Sequence, residues 1–235
     1  FRIIHDFLDA KGIFSGTPPM GGVNYFLWDR DYNGECHYYL YESADKPFSY
    51  RFETLDKNNS GIVIRDGVAN DILKKISEVH QDYMNNGDNF SSLISPKDFF
   101  TNKQWLTSSW DGFTNTPNQD YNIKYYPNKT LLKDGMEFGW ININQIPKNR
   151  ETKDLHKVFI PAANGSLTQV LGHPFYGEPN SVCSQTYLVI GYNPKEHHFT
   201  KEECFGIISY IKTRFFRYLV SIKKKTQNGP RGVYQ

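Results

Sequence analysis

Cysteine is scarce in this 235-residue chain, and what there is does not cluster: Cys36, Cys183 and Cys204 form no CxxC pair. Structural zinc sites are commonly built on such closely spaced thiolates, so none is expected. An odd, scattered set of thiols fits reduced cysteines better than a disulfide framework, and this points to the cytoplasm. Long apolar runs are missing as well. None approaches the roughly 20 residues of a membrane-spanning helix, so no membrane partner is expected. There is no P-loop, no Gly-x-Ser-x-Gly elbow, and no glycine-rich loop that follows a strand. The commonest signatures of nucleotide hydrolysis, acyl transfer and dinucleotide binding are thereby lacking. Neither sign of charge dominates, the net value being +2.

What the chain does have is aromatic surface, 16% of its residues, ample for one large domain or two small ones. Its charge is also unevenly spread. Glu203 is the last acidic residue, and beyond it lie Lys212, Arg214, Arg217, Lys223, Lys224, Lys225 and Arg231. Cations without anions create a strong local field suited to a polyanion, although such runs are often just solvated faces. The chain begins at Phe1 within strand-like sequence and stops mid-pattern at Gln235, so a fragment of a longer protein is expected.

Hydrophobic periodicity predicts an α+β chain. Residues 2–8 read as a strand or short helix, 12–22 as a loop, and 23–29 with 36–41 as a hairpin about the turn Asp31–Gly34. Residues 49–55 extend that sheet, and 62–65 read as another short strand. Asp66 is placed to cap a helix over 67–79, with Ile72, Ile76 and Val79 on one side. A polar linker is expected over 80–100, and a domain boundary there or just before it, near residue 60. Further strands are predicted near 104–110, 121–127, 138–143, 156–161 and 185–191. Thr200 then caps one long helix, with Glu202 and Glu203 in its first turn. Cys204, Ile208, Ile211, Phe215, Leu219 and Ile222 form its core stripe, which sets Arg214, Arg217, Lys224 and Lys225 on the opposite face.

Candidates for chemistry are few. Glu151-Thr-Lys153, with Asp120 upstream, is the one arrangement that hints at a metal-dependent nuclease, but it sits in a loop sequence. His197-His198 are adjacent and do not face one another on a regular element. Candidates for binding are better. Lys157 opens the strand Lys157–Pro161, and Asn180, Ser181, Ser184, Gln185 and Thr186 crowd the loop that follows. Such side chains serve base edges and phosphates, and serve loop bracing equally well.

Five segments, taken in order, carry a resemblance. They are Gly21-Gly-Val-Asn-Tyr-Phe-Leu-Trp-Asp29, Ile146-Pro-Lys-Asn-Arg150, Lys157-Val-Phe-Ile-Pro161, Gly177-Glu-Pro-Asn-Ser-Val-Cys183 and Thr213-Arg-Phe-Phe-Arg-Tyr-Leu219. Together they resemble the C-terminal part of gamma-class, TaqI-like adenine-N6 DNA methyltransferases of bacterial restriction-modification systems. The resemblance implies that residues 1–60 are the last strands of a methyltransferase core, a mixed-sheet remnant. Residues 61–235 would then be a strand-rich target recognition domain ending in a long helix. It implies double-stranded DNA as partner, an upstream core of the same parent chain as neighbour, and S-adenosyl-L-methionine as the parent's cofactor, with none bound by this segment. The family's Asn-Pro-Pro-aromatic tetrad is missing, since the one Pro-Pro is Thr17-Pro-Pro-Met20. Catalytic residues are therefore expected elsewhere. Lys157, Asn180, Ser181, Ser184, Gln185, Arg214, Arg217, Lys224 and Lys225 are the expected DNA-binding set. Rival expectations are a type I-like specificity module, which paired similar domains would mark, a restriction nuclease fragment, and a protein-interaction domain without salt-dependent DNA affinity.

Overall fold

The computed structural model of the chain describes residues 1–16, 19, 21–42, 44–45, 47–56, 62–79, 89–164, 170–193, 197–224 and 226–234. They form a mixed α+β fold with several small sheets, three α-helices and no closed barrel. None of the described helices is long and apolar enough to cross a membrane. The chain divides into two compact units, Phe1–Asn86 and Gly87–Gln235. That division falls within residues 80–100, where the linker is expected, and not near residue 60. The helix over 67–79 stays with the first strands because the 62–66 segment leading into it is tied to them. Arg65 grips Asp6, and Arg51 donates to the carbonyl oxygen of Ile64.

Unit 1 is a four-stranded sheet made of β1 (Ile3–Phe7), β2 (Val23–Leu27), β3 (Cys36–Tyr41) and β4 (Ser49–Glu53), in the order β2-β1-β3-β4. β1 and β3 run parallel, and the other neighbours are antiparallel. Period-2 alternation sends Ile4, Asp6, Cys36, Tyr38 and Leu40 to one face, where all five are buried. Asp6 accepts two hydrogen bonds from Arg65, at 2.7 and 2.8 Å, and one from the Tyr38 hydroxyl. The 62–65 segment is not a strand. Its Ile64 is buried while its backbone serves Arg51. Helix α1 (Gly67–Val79) begins as expected, with Asp66 accepting the Val68 N–H at 2.9 Å, but only Ala69 is fully buried.

The opposite face is aromatic and largely open. His5 is stacked between Tyr25 and Tyr39 at centroid distances of 4.6 and 4.7 Å, and Tyr39 leans on Tyr50 at 4.9 Å. Tyr41 and Tyr50 hydroxyls lie within hydrogen-bonding distance of His5 and His37. Tyr25, Leu27, Tyr50 and Phe52 are each about half exposed. Glycine is required in the β1–β2 connection: Gly22 has φ +83°, and an added Cβ would lie 2.0 Å from the Phe7 carbonyl oxygen.

Unit 2 stacks two three-stranded sheets and a helical layer. One sheet holds β5 (Ile123–Tyr126), β6 (Gly139–Ile141) and β9 (Ser181–Cys183), in the order β6-β5-β9. The other holds β7 (Lys157–Pro161), β8 (Phe175–Gly177) and β10 (Tyr187–Ile190), in the order β10-β7-β8. Short β8 and β9 were not anticipated, since three-residue strands carry no periodic signal. The reverse error occurs over 104–110, which is irregular. There the Asn102 side chain accepts the Gln104 and Trp105 N–H groups and turns the backbone. β7 and β10 are buried on both faces, which explains their unbroken apolar sequence. Val158, Ile160, Leu188 and Ile190 pack on the helices, while Phe159 and Val189 pack with Ile123, Tyr125 and Val182.

The C-terminal helix is two helices, α2 (Lys201–Lys212) and α3 (Arg214–Lys223). Thr200 and Glu203 form the expected capping box. Thr213, at ψ 149°, closes α2 and caps α3 by accepting the Phe216 N–H. This break rotates the stripe. Cys204, Ile208, Ile211 and Ile222 are buried as expected, but Phe215 is 51% exposed and Phe216 and Val220 take the core positions.

Candidate nucleic-acid interface

Lys157 does not face solvent. Its side chain is wholly buried at the start of β7, where Nζ donates to the carbonyl oxygens of Lys153 (2.9 Å), Leu155 (2.8 Å) and Glu178 (3.3 Å). An ammonium has three protons, and all three are used. Burial pushes its pKa down to about 7, against some help from the Cys183, Glu178 and Asp154 side. Lys157 is thus a clamp joining the 150–154 turn to the β8–β9 connection, and its expected role in DNA contact is withdrawn. β7 is an interior strand, so the residue that opens it is covered from both sides.

The 178–186 segment divides in the same way. Ser181 and Ser184 are buried. Ser181 Oγ donates to the Glu178 carbonyl, and the Ser184 N–H donates to the Tyr126 carbonyl at 3.0 Å. Both are braces, and their burial leaves neither hydroxyl open to DNA, against the expectation that they contact it. Asn180 is exposed, adopts the left-handed conformation at φ 62°, and donates from Nδ2 to Asn122 O at 2.8 Å. Glu178 is held by Lys124 and by the Tyr126 hydroxyl at 2.9 Å. Burial alone would raise its carboxyl, but these partners keep it below the ordinary range.

Gln185 is different. It stands at the tip of the β9–β10 turn and lines an open cleft of about 380 Å³ with Asp98, Asn102, Lys103, Thr107 and Lys148. The loop before it holds both of its ends. Its backbone N–H donates to Leu106 O at 3.1 Å, and its side-chain Nε2 lies 3.2 Å from Ser108 Oγ. Leu106 is fully buried at φ 58°, a left-handed conformation that a bulky side chain rarely adopts. Strain of that kind collects where surrounding structure over-determines the backbone, often at binding sites. Lys148 approaches Asp98 at 3.4 Å, both exposed, so the pair contributes little to stability and is free to exchange partners. Two ammonium groups, one carboxylate and several amide and hydroxyl groups therefore share one opening.

The C-terminal cations are scattered by the break at Thr213. Arg214 is exposed. Arg217 is half-buried and donates to Leu171 O at 2.7 Å, and Lys224 donates to Val170 O at 2.6 Å. Burial lowers the Lys224 pKa. Both side chains close helix α3 onto the 170–171 backbone, which overturns their assignment to a free face. Lys225 lies outside the described residues. The cleft residues Asn102, Lys103 and Thr107, and Ser108 as the partner of Gln185, carry no sequence signal that singles them out. Ser108 and Gln185 are 77 positions apart, and no local pattern links them. Lys148 lies in the Ile146–Arg150 segment quoted above, without a role having been assigned to it.

The described residues contain no group of three or more His, Cys, Asp or Glu side chains able to hold a metal ion. His197 pairs with Glu203 instead, at 2.9 Å. No family model matches the chain, and neither a curated protein nor a solved structure matches it.

Proposed function

We propose that the chain is the DNA-reading part of a site-specific adenine-N6 DNA methyltransferase of a restriction-modification system. In this reading unit 2 recognises double-stranded DNA in sequence-specific fashion, and unit 1 ends the sheet of an upstream methyltransferase core that binds S-adenosyl-L-methionine. The observation that carries it is the cleft at Gln185. A hydrogen-bonding side chain is anchored at both ends there, with Lys103 and Lys148 around it. Sequence-specific readers need that combination, because phosphate contacts fix register while base-edge contacts select the site.

The sheet of unit 1 supports the same reading. Its central strands place Ile4, Tyr38 and Leu40 with the paired Asp6 on one face and the rings of His5, Phe7, His37, Tyr39 and Tyr41 on the other. One face is filled by Ile4, Tyr38 and Leu40, and the aromatic face is open to a further layer, which the parent's core would provide. The stacked rings of His5, Tyr25 and Tyr39 turn their flat faces toward each other, so nucleobases would meet ring edges there. That makes this face a poor stacking platform, and DNA contact is assigned to unit 2.

The test is fluorescence anisotropy of the chain with labelled duplexes across a salt series. The reading requires duplex binding whose log–log salt slope reports several phosphate contacts at about −0.9 each. Incubation with labelled S-adenosyl-L-methionine and duplex should give no methyl transfer from this chain alone. Absence of salt-dependent duplex binding would discard the reading, and methyl transfer above blank would show that the chemistry had been placed wrongly.

A further inference from the structure

The geometry points to Gln185 as a side chain that selects an adenine, with Ser108 as the positioning residue that aims it; the inference rests on the DNA-reading function proposed above. Gln185 has a carboxamide with two N–H donors and one acceptor oxygen. Ser108 Oγ takes one N–H at 3.2 Å. That leaves one N–H and Oε1 unengaged by Ser108, at the edge of an open cleft. An adenine in the major groove presents N7 as acceptor and N6–H₂ as donor, side by side, and a carboxamide is the side chain that satisfies both at once. Guanine offers two acceptors in that position and would leave Oε1 facing another oxygen.

Pre-orientation is what makes this more than a surface glutamine. A free Gln side chain loses rotamer freedom on binding, at roughly 0.5–1.5 kcal/mol. Here that freedom is already restricted. The Leu106 carbonyl fixes the Gln185 backbone, and the same carbonyl is itself bonded by the Thr101 hydroxyl at 3.1 Å. The strained 101–108 loop and the β9–β10 turn thus act as one rigid holder. Lys103 and Lys148 on the cleft wall are placed to meet the flanking phosphates, and Asp98 releases Lys148 when they do.

The experiment is selection of bound duplexes from a randomised pool by the chain, then sequencing, for the wild type and for Gln185→Ala, Gln185→Glu and Ser108→Ala. The wild type should select a motif containing an A·T pair whose preference Gln185→Ala reduces by about 5- to 100-fold at that position alone. Affinity for a duplex carrying the selected motif should fall by a similar factor. Gln185→Glu should move the same position toward C·G, since a carboxylate accepts from cytosine N4. Ser108→Ala should blur that position without touching the rest. A gain of a new base by Gln185→Glu cannot arise from misfolding, so the proposal stays testable even if one variant is destabilised. If the wild type retains a motif and all three variants keep it unchanged, this inference is wrong and the DNA-reading function stands. If the wild type retains no duplex, both fall.

Discussion

The Lys157 ammonium lies 2.8 Å from the carbonyl oxygen of Leu155, two residues earlier, and in that position it is closed off from water on every side. A buried amine with a pKa of about 7 titrates where few other groups do. Its folded pKa is below its unfolded value of 10.5, so between those values the unfolded chain binds more protons and stability rises with pH. Below pH 7 the cost of burying the charge is present in full, and it is relieved progressively above it.

Urea midpoints at pH 7 and pH 8.5 check this, followed by tryptophan fluorescence, because Trp105, Trp110 and Trp140 lie in unit 2. The wild type should gain stability across that interval relative to Lys157→Met, which cannot titrate there. Equal pH slopes for the two proteins would mean that Lys157 keeps its charge by drawing water into the clamp.

Arg214 and Arg217 are three residues apart and should behave in opposite ways. Arg217 donates to Leu171 O from a half-buried position, so Arg217→Ala should lower stability by about 1–3 kcal/mol. Arg214 is exposed, and Arg214→Ala should leave stability within about 0.5 kcal/mol. Any phosphate contact should belong to Arg214, whose loss would make the salt slope of duplex binding shallower by about 0.9. Thermal melts and salt titrations of the two variants, side by side, separate these roles. A shallower slope for Arg217→Ala with unchanged melting would return Arg217 to the DNA face.

Which of these relationships could be read from the sequence depended on their range. The capping box at Thr200 and Glu203 was legible because both partners lie within one turn. The strands at 36–41 and 157–161 were legible because strand periodicity or an unbroken apolar run is local. Arg217 was placed on the wrong face because Thr213, which looks like an ordinary helix residue in a periodic pattern, breaks the helix with its own hydroxyl. Lys157 was misread because a lysine is taken as exposed unless its acceptors are known, and one of the three, the Glu178 carbonyl, is 21 residues away. Gln185 was singled out by its chemistry, but its cleft was invisible because the 101–108 wall meets it only through tertiary packing.

The helix break itself can be tested. Thr213 accepts the Phe216 N–H at 3.2 Å and donates to Tyr210 O at 2.7 Å. Thr213→Ala removes both and should cost about 1 kcal/mol, while Thr213→Ser should recover most of it. Denaturant midpoints of the three proteins give the answer. If Ala and Thr are equally stable, the break is imposed by packing around Phe216 and the cap is incidental.

In unit 1 the corresponding device is ionic. Asp6 is buried and accepts two hydrogen bonds from Arg65 and one from Tyr38, and Arg65 also donates to Gly21 O at 2.9 Å. This single carboxylate ties β1, β3, the β1–β2 connection and the approach to α1 together. Asp6→Asn keeps the shape but leaves the guanidinium without a counter-charge. Truncating one partner of a buried pair costs about 3–5 kcal/mol, and the low end applies here because the Arg65 side chain keeps 19% of its surface in water. Replacing both, as Asp6→Asn with Arg65→Met, should cost less than Asp6→Asn alone, because no unpaired charge remains. Hydrogen exchange of the β1 and β3 amides, read by mass spectrometry, isolates unit 1 from unit 2. Faster exchange in Asp6→Asn, partly restored in the double variant, is the expected pattern. Additive losses in the double variant would mean that Arg65 acts through Gly21 and that its pairing with Asp6 does not hold the sheet.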